Sequence, residues 1–530
     1  MRGSKRWAWG LSAVGALSWL ACAAPARAES PAPAPAPAEP EWTPEDEERR
    51  APHHGRSFWQ MGAGLTLGAT GYWILMDRNV ADWDNPSPGD RFKSEAWIFD
   101  NNSLAVNFLG HPLTGGLSYS FARANHQSVA GSFAYSFVTS FLWEFVLEFK
   151  EKISVNDTIA TPGAGLPIGE FFYKLGLYLD TGDGRSTSVD VARWLLGTGV
   201  AVDRSLDGRP RPRVLRRDNL GFSRQIWHDF AFRYGLSLND SPSEDDYARY
   251  RVGMTARLVT LPGYLQPGQR VRGFYRAEIS DFSLASEASR HGAGLFVSAD
   301  TIVAGVHAQA MAREGRHVSG EALSAGSSVG FLFLRSSANR YRSVERAVAA
   351  PDPPLKHHTP HSREQVSGFH LPGLALDARL QRSWGHLQLG GRLQPSFGGL
   401  GAAAFYDWAA ANRDQKGKHV LHRQGYFYGW GPAASAKAAL SLGPLRASFD
   451  LSYAHFDSQE GYDRHIERIT VDTQAEGDFL AYEGSLGVAP AGAPVAVSLD
   501  LGVRRFRSRV GRFERTARVV ERGLSATWSF

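Results

Sequence analysis

From about Asp218 to its last residue the chain alternates apolar and polar positions, run after run. Phe230, Phe232, Tyr234, Leu236 and Leu238 stand against Ala231, Arg233, Gly235 and Ser237. Leu445, Ala447, Phe449, Leu451 and Tyr453 stand against Arg446, Ser448, Asp450 and Ser452; Val495, Val497, Leu499, Leu501 and Val503 stand against Ala496, Ser498, Asp500 and Gly502. Similar runs begin near Arg251, Leu374, Leu387, Tyr426 and Leu480. Period two marks strands with one apolar face. A soluble sandwich alternates as well, but each run spans roughly ten residues, the length a tilted strand needs to cross a bilayer. Aromatic residues gather at run ends, as in Tyr426, Tyr428 and Trp430, where interface girdles sit. The joins also alternate. "APAGAP" near Pro490 and "LGP" near Gly443 are short, whereas "DSQEGYDRHIERITVDTQ", the stretch around "RDQKGKHVLHR" and "VERAVAAPDPPLKHHTPHSREQ" are long and polar.

These features predict an antiparallel transmembrane β-barrel over residues 216–530, of about twelve strands within a range of ten to fourteen, the first near Ile226. That count makes "FGGLGAAAFYDWAAAN" part of an outer loop with a short helix, and Gly294–Met311 one long irregular strand. The final "GLSATWSF" alternates too, and resembles the closing strand of bacterial outer-membrane barrels. Trp528 and Phe530 are then the barrel-closing signal read by the barrel-assembly machinery.

The other end of the chain agrees. Residues 1–28 carry Arg2, Lys5 and Arg6, an apolar run and Ala26-Arg27-Ala28, a signal peptide cleaved after Ala28. Cys22, the single cysteine, leaves with it, which excludes disulfides and cysteine metal sites in the mature protein. Loss of Arg2, Lys5, Arg6 and Arg27 takes the formal net charge from +5 to +1, so nothing in the charge points to nucleic acid. Residues 29–55, rich in Pro and Ala and then charged, read as a disordered spacer.

Residues 56–215 are a different object, helical and Gly-rich. Met61–Met76 carries no charge, its glycines lower its hydrophobicity, and Gly64 and Gly68 make a small-xxx-small pair. His111-Pro112 predicts a helix start, after which Gly115, Tyr119 and Ala122 share a face with Arg123 beside them. A second helix from about Ser128 to Glu151 puts Glu144, Glu148 and Glu151 on one face. Asn156-Asp157 and Thr161-Pro162 predict a turn, and Gly165 and Gly169 allow close backbone approach before Glu170 opens a helix.

The order His-Pro-x-x-Gly-x-x-Tyr-x-x-Ala-Arg, Ser140-x-x-Trp143-Glu144, Ser154-x-Asn156-Asp157, Thr161-Pro162 and Gly169-Glu170 resembles the uncharacterised bacterial family labelled domain of unknown function 3943. The resemblance covers about Trp97–Tyr178. It implies a Gram-negative cell-envelope protein and brings with it no activity, ligand or catalytic residue.

The polar cluster of that signature comprises His111, Tyr119, Arg123, Trp143, Glu144, Glu148, Asn156, Asp157 and Glu170. Read as chemistry, it is an acid–base or metal site working on an envelope lipid or glycan. Read as structure, it is a set of buried pairs, for example Arg123 with Glu144 or Glu170, and this is the favoured reading. With no H-E-x-x-H, and no Glu-x-x-His within the signature segment, no metal and no cofactor are expected. Gly326–Gly330 matches G-x-S-x-G but falls in a strand, and His357, His358 and His361 fall in a solvated loop. Arg233, Arg251, Arg257, Arg379, Arg392, Arg446 and Arg504 make an anion-favouring lumen or pair with Asp377, Asp450 and Asp500. The sequence thus predicts an α + β membrane protein of the outer membrane, with helices inside the barrel or at its periplasmic mouth as a plug or cap. It would serve solute passage or envelope structure; the alternative is an outer-membrane enzyme acting through the His111–Glu170 cluster. The expected partners are outer-membrane lipid, lipopolysaccharide and the assembly machinery.

Overall fold

The computed structural model describes residues 41–75, 89–93, 96–100, 102–149, 151–184, 186–241, 244–290, 292–315, 317–336, 364–412, 419–458, 473–490 and 493–530. The signal peptide and the His357–His361 loop lie outside the described residues. The strands are β1 (Trp227–Ser241), β2 (Glu244–Val259), β3 (Gly268–Phe274), β4 (Ile279–Ser289), β5 (Gly292–Glu314) and β6 (His317–Arg335). They continue as β7 (Gln365–Arg382), β8 (Gly385–Gly401), β9 (Tyr426–Leu442), β10 (Leu445–Ser458), β11 (Ala475–Val488), β12 (Val495–Val510) and β13 (Phe513–Ser529). Twelve of them close an antiparallel ring; the short β3 pairs with the part of β5 that runs on past the end of β4. The expected long irregular strand is β5, with its register slip between Ile302 and Ala304. Closure is made by β13 on β1, from Val520 opposite Asp240 to Ser529 opposite Ala231, and Phe530 donates its N–H to the Phe230 carbonyl at 2.9 Å.

The two faces of the ring are set by the alternation. Tyr234, Leu236, Leu238, Leu376, Leu389, Leu501 and Leu524 are exposed and form an outward apolar belt. The opposite parity meets across the lumen: Arg257 pairs with Asp281 at 2.6 Å, Arg392 with Asp300 at 2.6 Å and Asp377 at 2.9 Å, and Arg251 with Glu483 at 2.8 Å. Most of the lumenal arginines named above are therefore spent on carboxylates.

Both ends of the lumen are occupied by connecting segments. At the rim of long joins, a helix at Phe405–Ala411 in the β8–β9 join packs Phe405 and Trp408 onto inward Leu332, Leu400, Phe427, Phe456, Phe479 and Phe506. This is the predicted loop helix, but the expected loop is corrected at its start: Phe397–Gly401 extend β8, paired with Tyr426–Trp430. At the opposite rim the β2–β3 loop folds inward: Gln309 donates to the carbonyls of Gly263 (3.1 Å) and Gln266 (2.8 Å), and Tyr264 packs on Trp227. A charged cavity of about 450 Å³ is left between them.

Before the barrel come α1 (Pro44–Glu48), α2 (His54–Leu75), α3 (His111–Ala124), α4 (Val129–Leu142), α5 (Val155–Asp180), α6 (Thr187–Leu196) and α7 (Thr198–Leu206). Helix α5, buried along nearly all its length, is the pivot. It crosses β7, β6, β5, β4 and β2 obliquely. Gly163 lies against Phe369, Phe171 stacks on Phe282 at 4.8 Å, Lys174 donates to Ser280 at 2.8 Å, and Tyr178 packs on Phe230 at 5.7 Å. Phe369, Phe282, Ser280 and Phe230 all belong to the outward parity.

The expected plug is therefore corrected: these helices pack on the outer wall of the barrel. The lumen is crossed by its own ion pairs and closed in by two infolded loops around a charged cavity, whereas the outward belt offers α5 an apolar surface to bury. Two local expectations also change. The turn expected at Asn156-Asp157 and Thr161-Pro162 is instead the first part of α5, capped by Ser154, whose hydroxyl accepts from Asp157 N–H; Pro162 and Pro167 sit inside the helix, where each forfeits one backbone hydrogen bond. And the charged end of the expected spacer is docked: Glu47 is buried, and Glu48 pairs with Arg123 at 2.5 Å.

Candidate functional site

Helices α3 and α5 meet backbone to backbone. A Cβ on Gly115 would fall 2.0 Å from the Thr161 carbonyl oxygen, and one on Gly165 2.6 Å from the Gly115 carbonyl carbon. This glycine seam draws the signature residues of both helices together, and they separate into two clusters.

The first lies at the rim of long joins. A π-helical turn at Val106–Gly110 leads directly into His111, and a second at Trp143–Leu147 carries Glu144. Such turns insert a residue into the helical phase and recur at functional sites. A short parallel pairing of Trp97 with Ile153 brings Asp100 to the start of α5. His111 Nε2 then lies 3.6 Å from Asp157 Oδ2, and one ligand atom each of His111, Glu144 and Asp157 all fall within 4.8 Å of one another. Ser154 joins the two acids, donating its N–H to Glu144 at 3.2 Å and its hydroxyl to Asp157 at 2.8 Å. Asn156 donates to Asp157 at 2.9 Å and accepts from Asp100 N–H at 2.8 Å; Trp143 Nε1 donates to Glu148 at 3.0 Å. The barrel supplies the far wall: Asn107 donates to the Tyr428 hydroxyl at 2.5 Å and the Tyr426 hydroxyl at 3.2 Å, and Tyr428 donates to Asp100 at 3.1 Å. Arg91 donates to the backbone carbonyls of Glu144, Glu148 and Glu151.

The second cluster is further along α3 and α5. Arg123 Nε donates to Glu170 at 2.8 Å, Nη1 to the Gln127 carbonyl at 2.8 Å and Nη2 to Glu48 at 2.5 Å, while Tyr119 donates to Glu170 at 2.8 Å and Lys174 stands 3.7 Å from it. Beyond it Glu47 takes Arg204 at 3.0 Å and Arg209 at 2.9 Å. Burial alone would raise the pKa of Glu47, but Arg204, Arg209 and Arg50 outweigh it and hold it below the usual carboxylate range. This second cluster is a set of balanced ion pairs that ties α1, α3, α5 and α7 together.

Sequence reasoning placed His111, Trp143, Glu144, Glu148, Asn156 and Asp157, which meet in the first cluster, and Tyr119, Arg123 and Glu170, which meet in the second. It missed Asp100, Asn107, Glu48 and the two tyrosines. Asn107 stands four residues before His111, a helical spacing that was available as a signal. Tyr426 and Tyr428 were read as girdle residues, and their contact with Asp100 and Asn107 joins positions more than 300 apart in the chain.

The polarity of α4 is inverted. Phe133, Phe137 and Val138 are exposed, whereas Ser132, Ser136 and Ser140 are buried, with Ser136 donating to the Gly115 carbonyl and Ser140 to the Asp157 carbonyl, both at 3.0 Å. Leu113 and Leu117 of α3 are likewise exposed.

A closed antiparallel ring with an apolar outer belt and a charged lumen defines an outer-membrane-type β-barrel, here carrying a helical module on its wall. Residues 96–198 of that module match the family described as Domain of unknown function (DUF3943). No curated protein sequence matches the chain. Among solved structures, the barrel is similar to the Acinetobacter baumannii outer membrane protein Omp33 at 10% identity and a TM-score of 0.19, covering 57% of this chain and 98% of that one. It is also similar to the translocator domain of the autotransporter NalP from Neisseria meningitidis (8% identity, TM-score 0.23, 57% and 88% covered) and to Pseudomonas aeruginosa OpdQ (9%, 0.14, 57% and 98%).

Proposed function

We propose that the barrel is an outer-membrane anchor whose function lies in its lipid-facing helical module, and that it serves the structure of the envelope rather than the passage of solutes. One observation carries this reading: α4 presents phenylalanine and valine outward and serine inward, the reverse of a helix in water. The Val129–Leu147 stretch has a mean hydropathy of 1.2, with 22% of it buried. In hydrocarbon that arrangement is the stable one, because inward serines bond neighbouring helices and every helical backbone group is satisfied within its own segment. The lumen supports the same reading, since ion pairs and two infolded loops occupy the route a solute would take. By the usual asymmetry of such barrels, short turns face the periplasm, so the His111 cluster belongs to the outer-leaflet side, where lipopolysaccharide is the neighbouring lipid.

Cys22, within the proposed signal peptide, is the single cysteine of the sequence, so single cysteines can be spin-labelled one at a time. Labels at Phe137 and, as belt control, Leu236 should be reached by oxygen and shielded from a water-soluble nickel chelate. Strong access of the chelate to position 137 would refute the lipid-facing module. Stepwise conductance by the wild-type protein in planar bilayers would refute the closed lumen.

A further inference from the structure

We propose that His111, Glu144 and Asp157 form a divalent-cation site, taking a first-row ion such as Zn²⁺ or Mn²⁺. The argument begins with charge. Buried carboxylates elsewhere in the helical module are matched by a cationic side chain: Glu47 by Arg204, Glu170 by Arg123, Asp180 by Arg193 and Asp203 by Arg56. Glu144 and Asp157 are buried as deeply, 1% and 2% exposed, and no lysine or arginine among the described residues pairs with either. Two acids held together without a counter-charge are what a bound cation resolves.

Geometry and donor type agree. One imidazole nitrogen and two carboxylate oxygens suit zinc or manganese. Bonds of about 2.0–2.2 Å put tetrahedral donors roughly 3.3–3.6 Å apart. His111 and Asp157 already stand at 3.6 Å, and the widest pair needs to contract by at most roughly 1.2–1.5 Å from the 4.8 Å limit. The outer contacts that orient metal ligands are present, since Ser154 and Asn156 hold Asp157 and the Ser154 N–H holds Glu144. Beside the set, one turn before His111, the amide oxygen of Asn107 is buried without a hydrogen-bond partner, while its amide nitrogen donates to Asp100, Tyr426 and Tyr428.

His53, His126 and Asp207 also gather within 4.8 Å, but Asp207 is paired with Arg56 at 2.6 Å and Arg209 at 2.8 Å, so that group already holds its positive charge. It serves as the internal control.

The test is metal uptake by the full-length protein, purified in detergent, stripped with EDTA and loaded separately with Zn²⁺ and Mn²⁺. Metal retained after desalting is measured by mass spectrometry, and Mn²⁺ binding by electron paramagnetic resonance. Wild type should retain one equivalent, and loading should raise its Tm. His111→Ala removes a ligand without stranding a buried charge and should weaken binding at least tenfold, as should Glu144→Gln; His126→Ala should leave it unchanged. Heat-modifiable mobility and an unchanged protease pattern confirm that each variant is folded. Absence of uptake by wild type overturns the proposal, as does uptake that survives His111→Ala or is lost with His126→Ala.

Discussion

Replacing Arg123 by alanine isolates the second cluster from everything else in the molecule. The guanidinium is 1% exposed and satisfies Glu170, Glu48 and the Gln127 carbonyl, with Tyr173 at 4.6 Å beneath it. Breaking a buried pair from one side costs about 3–5 kcal/mol, because the remaining charge is stranded. Glu170 is wholly buried but keeps Tyr119 and has Lys174 at 3.7 Å, which argues for the lower part of that range. The lost cation–π contact adds roughly 0.5–2 kcal/mol. A total of about 4 kcal/mol raises the open population of the helical module nearly a thousandfold. Proteolysis under conditions where reclosing is fast reads that population directly. Arg123→Ala should therefore be cleaved within residues 41–206 far faster than wild type, while its barrel still shows heat-modifiable mobility. Pairing Arg123→Met with Glu170→Gln removes both charges and should recover most of the loss. An Arg123→Ala protein no more cleavable than wild type would refute the reasoning, as would a barrel that fails with it.

Three further outcomes follow from the same structure. Gly115→Ala drives a methyl into the Thr161 carbonyl and should loosen the α3–α5 seam by 1–3 kcal/mol or more, visible as faster proteolysis of the helices with the barrel intact. Phe137→Arg places a charge on the lipid-facing side of α4 and should cost about 2.5–3.5 kcal/mol in membranes, so a variant as protease-resistant as wild type in bilayers would count against that placement. Deleting Phe530 removes the two backbone hydrogen bonds it exchanges with Phe230 and the aromatic side chain that follows β13, and the amount of heat-modifiable protein in the outer membrane should fall sharply.

The barrel was legible because its rule is local. Period-two alternation, strand length and join asymmetry together located the ring, the loop helix at Phe405–Ala411 and the irregular β5. The helical half was legible only in part. Glycine spacing announced the α3–α5 seam, and the arginine near Tyr119 announced a buried pair. Its placement was not, because α5 shows no single polar face to leave in water, and such a helix suits a lumen, a bundle core or a wall equally. What excludes the lumen is the set of ion pairs joining β2, β4, β5, β7 and β8, and those depend on which strands face one another across the ring. The start of α5 was hidden for another reason: Asn156, Asp157 and Pro162 are turn-formers by propensity, and capping by Ser154 together with burial against the barrel overrides them.

If the module is exported and faces lipid as proposed, its composition has a reason. A helix bound for the outer membrane must first cross the inner one, where a strongly apolar segment would be retained. The Val129–Leu147 stretch stays near the margin, with a mean hydropathy of 1.2, because one face is serine. Glycines do the same for α2, α3 and α5. Each inward hydroxyl of such helices needs a partner out of water. The barrel wall and the α3–α5 seam provide those partners only after export, so the helices become stable in lipid at the place where they are used. On this argument the helical module needs its barrel: expressed without residues 216–530 it has no outward belt to bury α5 against and should be degraded in the periplasm, whereas the barrel without the module retains every pair of its ring.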